Sequence, residues 1–207
     1  MWIYSKKTAN LYAEVKDKIK FDDSKIVKVL AKINFRGKSV LDMGCGDGRY
    51  SLKFLKNGAS KVTAIDISPR MLALTKRNTE GFKCAIRVVK ADARKIPVSG
   101  QSFDVVFSSF VLQHIKDHEA VFKEAYRVLK QAGFFIVAFG AIELHAKYRH
   151  LYDSVIPIRI GGKNGVVVED LIKSESAVKT DLSKAGFRIR FMAEYSRPSF
   201  SGRFLSS

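Results

Sequence analysis

Short apolar runs rich in β-branched residues alternate with amphipathic stretches along most of the chain. Residues 38–43, 61–66, 85–90, 103–108 and 133–139 read as five strands, while 50–55, 71–78 and 118–129 carry apolar residues at helical spacing. Parallel strands need crossover connections, which cover the sheet, so this alternation predicts an α/β fold with helices on both faces. Sheets of this kind hold ligands at the carboxyl ends of their strands. Upstream, Leu11, Val15 and Ile19, then Ile26, Val27, Leu30 and Ile33, predict an N-terminal helical segment within residues 1–37. Downstream, 141–168 is irregular, aromatic and basic, and helix-like spacing returns before 187–193, which reads as a strand. The expectation is one domain over 1–207, with a core at 38–140, an insert or lid at 141–168, and a C-terminal helix with closing strands at 169–207.

Composition narrows the class. With 207 residues, 46% of them hydrophobic and only four prolines, the chain has the apolar material for one sizeable core and is not disordered. Its longest apolar run, 132–142, falls short of the roughly 18 residues that a membrane span requires. No apolar stretch follows a basic leader at the start, so a cytoplasmic location is expected. Cys45 and Cys84 make no crosslink framework and no zinc-ligand pairing. The 37 basic side chains outnumber the 20 acidic ones, a net charge of +17 that favours acidic substrates or polyanions. The excess is spread rather than gathered into an arm, which leaves a solvated lysine-rich surface and a nucleic-acid face both open.

Candidate chemistry begins where the first strand runs into Asp42-Met43-Gly44-Cys45-Gly46-Asp47-Gly48-Arg49. Alternate glycines let the backbone turn sharply and approach a ligand with no Cβ in the way. A dinucleotide fingerprint would be G-x-G-x-x-G, but here Arg49 stands where the third glycine belongs, which argues against NAD or FAD. Asp66 ends the second strand 18 residues beyond Gly48, the carboxylate position that accepts from ribose hydroxyls. A nucleoside without a pyrophosphate fits both facts.

These blocks, with Ala64 to Met71, Ala91-Asp92-Ala93, Ser102 to Val106 leading to Leu112-Gln113-His114-Ile115, and Glu124 to Gly133, resemble the class I, Rossmann-like S-adenosylmethionine-dependent methyltransferases. The branch is the broad one that includes quinone C-methyltransferases and other small-molecule methyltransferases. The resemblance implies a seven-stranded, mostly parallel sheet with an antiparallel last strand, and S-adenosylmethionine as cofactor. It implies that Gly44, Cys45 and Gly46 pass beneath the methionine and ribose parts, that Asp42 anchors the ammonium, and that Asp66 holds the ribose. It further implies that Ile67 and Met71 flank the adenine, that Asp92 accepts from the adenine amino group, that Ala93 presents its amide, and that the Ser108 carbonyl lies near the methionine end. The family's turn before the fifth strand is commonly Pro-Gly-Gly, whereas this chain has Gln131-Ala132-Gly133.

Methyl transfer is an in-line displacement, and much of its barrier falls when the acceptor is held close and aligned. His114 is the candidate base for an acceptor that must lose a proton, with packing or capping of the next helix as its equal rival. His114 and His118 are spaced as a helical metal pair, but no third ligand accompanies them and no metal is expected. Tyr12, Phe110, Tyr148, Arg149 and Tyr152 are the candidate acceptor-side residues. The sequence after the fourth strand, Ser108-Ser109-Phe110, lacks the Asp/Asn-Pro-Pro-aromatic motif of exocyclic-amine methylation. A small-molecule acceptor, which the basic surface would suit if anionic, is the leading expectation. A tRNA acceptor held by that surface is the alternative, followed by a catalytically silent cofactor-binding protein.

Overall fold

The computed structural model describes residues 23–139, 174–190 and 192. Five strands, β1 (Ser39–Met43), β2 (Lys61–Asp66), β3 (Ile86–Lys90), β4 (Phe103–Ser109) and β5 (Leu129–Ala138), form one sheet in the order β3-β2-β1-β4-β5. All four pairings are parallel. The chain therefore winds outward from β1 in one direction and then returns to its other side. The carboxyl edge between β1 and β4 is the switch point at which such sheets open a crevice.

The helices are α1 (Ser24–Leu30), α2 (Arg49–Lys56), α3 (Pro69–Asn78), α4 (His118–Val128) and α5 (Glu175–Lys184). Their starts follow from local chemistry. Ser68 accepts from the Met71 amide with Pro69 at the first helical position, Asp117 accepts from Ala120, and Ser174 accepts from Ala177. Gly48, in the left-handed region at φ 81°, turns the glycine loop into α2.

Strand alternation divides the core. Leu41, Met43, Ile65 and Val106 pack beneath Val121, Phe122 and Ala125 of α4 and Val178 and Leu182 of α5. Val40, Val62, Val105 and Phe107 face Ile26 and Leu30 of α1 and Tyr50, Phe54 and Leu55 of α2. Phe54 stands edge-on to Phe107 with ring centres 5.2 Å apart. The central strands are buried on both faces, which is why they read as continuous apolar runs.

Three details depart from expectation. The N-terminal helical pattern ends at Leu30 rather than Ile33, with a turn through residues 31–33. Strand β5 begins at Leu129, four residues early, because Leu129 pairs with Phe103 before a register shift that contains Ala132 at φ 59°. Residues 187–190 and 192 form no strand, and the remaining residues of the expected sixth and seventh strands lie outside the described ones.

Candidate functional site

Asp42 lies on β1, the central strand of the sheet, with 1% of its surface exposed. The Ser51 hydroxyl, from the first turn of α2, donates to its Oδ2 at 2.6 Å. Burial pushes the carboxyl up to about 7, against the lowering effect of the Ser51 hydroxyl and amide, and the neighbouring Asp66 and Asp47 push it further up. A buried carboxylate with one hydroxyl donor is a strong attractor for a cation placed beside it.

The glycine loop is tied to β2 rather than left free. The amides of Gly44 and Cys45 donate to the Ile65 carbonyl at 2.8 and 2.9 Å, and the Gly46 amide donates to Asp66 Oδ2 at 3.0 Å. Thr75 of α3 donates its hydroxyl to the Gly46 carbonyl at 2.8 Å, and Asn78 donates to the Asp47 carbonyl at 2.9 Å. Gly44 and Gly46 do different jobs. A Cβ on Gly44 would sit 2.2 Å from Val111 Cγ2, so this glycine makes room for the loop after β4. A Cβ on Gly46 would meet nothing within 4 Å among the described residues, so the loop is open there. Cys45 is buried with Sγ 3.5 Å from the Thr75 hydroxyl, and burial holds its thiol well above the usual range, which makes it a poor nucleophile.

Asp66 accepts from the Ser68 amide at 2.8 Å through Oδ1 as well as from Gly46, and burial raises its carboxyl. A carboxylate offers about four acceptor sites, so two amide bonds leave capacity for ribose hydroxyls. Ile67 is half-buried beside it and Met71 is fully buried on α3. Asp92 already has a partner of its own. Arg94 returns over the turn and grips it through Nε at 3.1 Å and Nη2 at 2.7 Å, and the Arg94 amide donates to Oδ1 at 2.8 Å. This bidentate cation takes up part of the carboxylate's acceptor capacity. Ala93, next to it, is buried.

At the end of β4, the Ser108 hydroxyl is fully buried and has no hydrogen-bond partner among the described residues. Such a group costs about 1–3 kcal/mol until something bonds it. Phe110 follows at φ 56°, an unusual conformation for a phenylalanine, held by its amide on the Ala138 carbonyl at 2.8 Å. His114 closes a short 3-10 turn, Leu112–His114, and burial lowers it to about 4, so its ring is neutral at physiological pH. Asp117, not His114, caps α4. His118 is buried with Nε2 2.8 Å from the Leu112 carbonyl. Among the described residues no three His, Cys, Asp or Glu side chains gather as metal ligands, and no helix is long and apolar enough to cross a membrane.

The structure therefore brings Asp42, Gly44, Cys45, Gly46 and Asp66 into one loop-and-strand-end constellation. Tyr12, Tyr148, Arg149 and Tyr152 lie outside the described residues. Sequence reasoning missed Ser51, Thr75, Arg94 and Val111. Only Ser51 left a trace, as a hydroxyl in the first turn of the helix that follows the glycines.

Residues 41–137 match the family described as Methyltransferase domain. Phosphoethanolamine N-methyltransferase 3 of Arabidopsis thaliana is 33% identical over 101 residues, 49% of this chain and 21% of that protein. Demethylmenaquinone methyltransferase of Staphylococcus aureus is 31% identical over 130 residues, 60% of this chain and 54% of that protein. The chain thus spans at most about half the length of these two relatives. The crystal structure of an S-adenosylmethionine dependent methyltransferase from Mesorhizobium loti shares the fold, with TM-score 0.66 and 22% identity over 82% of this chain and 83% of that one. Residues 41–137 thus carry the methyltransferase-domain match, and the described core has the Rossmann-like α/β fold of S-adenosylmethionine-dependent methyltransferases.

Proposed function

We propose that the chain transfers a methyl group from S-adenosylmethionine to a small-molecule acceptor. The observation that carries this reading is the Asp42 carboxylate, buried on the central strand with Ser51 as its hydroxyl donor, which is a counter-charge suited to the cofactor's ammonium. The unbonded Ser108 hydroxyl and the open side of Gly46 support the fit. The bound cofactor supplies an electrophilic methyl on a sulfonium. The chain's own part is to bind and align: Asp42 holds an ammonium, Asp66 holds ribose hydroxyls while fastening the loop through the Gly46 amide, and the Ser108 hydroxyl bonds a polar group at the methionine end. His114, neutral at pH 7, takes a proton from acceptors that must lose one. The two curated relatives act, by their names, on a quinone and on phosphoethanolamine, which supports a small acceptor over tRNA.

Calorimetry with S-adenosylhomocysteine and NAD tests the reading, with binding expected for the first alone. Asp66→Ala removes charge-assisted bonds worth about 1.5–3 kcal/mol each, so affinity should fall at least tenfold. Equal affinity in that variant, or tight NAD binding, would overturn the assignment. Methyl transfer to quinol, amine and carboxylate panels then defines the acceptor.

A further inference from the structure

The connection from β3 to β4, residues 91–102, contains no helix. It packs on the sheet face that α4 covers over β1 and β4, and among the described residues no helix covers the amino-terminal part of β2 and β3 on that face, where Lys61 and Arg87 are exposed. Thr63 and Arg87 are register partners there, and Lys61 lies on the same face as Thr63, two residues earlier on β2. With Val98, Ser99 and Ser102 of the connection they line a groove of about 800 Å³. This end of the sheet is the opposite one from the glycine loop, a strand length of ~15–20 Å away.

Its charge is uncompensated. Among the described residues neither Lys61 nor Arg87 has an ion pair or a side-chain hydrogen bond. The acid at this end, Asp104, is already engaged: it accepts from the Ser39 amide at 2.8 Å, the Ser39 hydroxyl at 2.6 Å and Lys130 Nζ at 3.0 Å. The facing wall is preformed. Arg127 of α4 donates to the carbonyls of Val98 and Ile96, each at 2.9 Å, while Glu124 accepts from the Ile96 amide at 2.7 Å. The Ser102 hydroxyl closes the loop on the Ser99 carbonyl at 2.7 Å. Two free cations opposite a fixed, partly apolar wall suit an anionic head joined to an organic body, and the volume lies within the ~300–1,000 Å³ of small-molecule sites.

We propose that this groove binds a small phosphoryl-bearing organic molecule, at a site separate from the glycine loop. Lys61 and Arg87 hold the phosphoryl group, and Pro97 and Val98 support the organic part. An open groove with two adjacent cations offers room for one small anion, whereas a nucleic-acid face needs a stripe of cations along the backbone path.

The test is amide-resolved NMR of the full chain, titrated with phenyl phosphate at constant ionic strength, with sodium chloride as the control. Saturable shifts confined to Thr63, Arg87 and residues 98–102 are expected. Lys61→Ala with Arg87→Ala, both at exposed positions, should weaken phenyl phosphate about tenfold or more and leave S-adenosylhomocysteine affinity unchanged. Shifts that never saturate, that chloride reproduces, or that persist in the double variant would overturn the proposal. So would displacement of the probe by bulk tRNA with shifts running well beyond the groove, which would make the surface a nucleic-acid track.

Discussion

The Ser51 hydroxyl donates a 2.6 Å hydrogen bond to Asp42 Oδ2, and both side chains are sealed from water. Burial has raised this carboxyl to about 7, so near neutrality it is poised between its two forms. The ionised form is the one that attracts an ammonium. S-Adenosylhomocysteine affinity should therefore fall as pH drops below 7, by up to about tenfold per unit. His114, held near 4, does not titrate in that window. Calorimetry from pH 5.5 to 8 should show this dependence, and Asp42→Asn should bind weakly with the slope gone. Ser51→Ala removes a bond that favours the ionised form, so the fall should begin at higher pH.

Gly44 and Gly46 share a motif and a positive φ but not a consequence. Alanine at Gly44 meets Val111 Cγ2 at 2.2 Å, while alanine at Gly46 enters open space. Both substitutions pay about 1–2 kcal/mol of left-handed strain, and only the first adds a clash. Thermal melts should show Gly44→Ala as the more destabilising, with Val111→Ala recovering part of its loss. Gly46→Ala should instead act mainly on cofactor affinity. Equal melting temperatures for the two variants would mean that Val111 moves aside freely.

How far this architecture was legible in the chain depends on the range of the interaction. β2 starts and ends where its apolar run does, and the strand-end acids Asp42 and Asp66 were visible from the glycine spacing, because each is set by neighbours in sequence. The Arg94 grip on Asp92 was not, since a motif names an acceptor and says nothing about a competing donor two residues away. Nor was the Val111 contact with Gly44, which joins two strand ends that only the parallel pairing of β1 with β4 brings together. The start of β5 was misplaced for the same reason: Leu129 continues the helical spacing of α4, and its pairing with Phe103 decides otherwise.

Ala132 occupies the left-handed region at φ 59° within β5, where the related family commonly places a glycine. A Cβ there costs about 1–2 kcal/mol, and glycine returns part of that gain through the entropy of the unfolded chain. Ala132→Gly should stabilise the protein by about 0.5–1 kcal/mol in urea unfolding, with the m-value unchanged. Gly133 has no such freedom, because a Cβ on it would lie 2.8 Å from Leu129 Cδ2 and 3.0 Å from the Lys130 carbonyl. Gly133→Ala should therefore destabilise, and the opposite signs at adjacent positions make the comparison self-controlled.

His114 sits in a mostly buried turn after β4, and that burial holds it near 4. Near neutral pH the ring is already free of its proton, so it can receive one without first losing one. The same burial makes it a weak base, because the imidazolium it would form is poorly solvated. As a base it would therefore serve acceptors whose hydroxyl is itself acidic, and add nothing for acceptors that react without losing a proton. His114→Gln, which keeps a polar side chain of similar reach, should lower kcat roughly 100-fold on an acidic hydroxyl acceptor. It should leave KM and cofactor affinity near those of the parent, and spare an acceptor that needs no base. The parent's kcat should show no limb from this group between pH 5.5 and 8. An equal loss on both acceptor types, or a lower melting temperature that accounts for it, would assign His114 to packing the turn rather than to proton transfer.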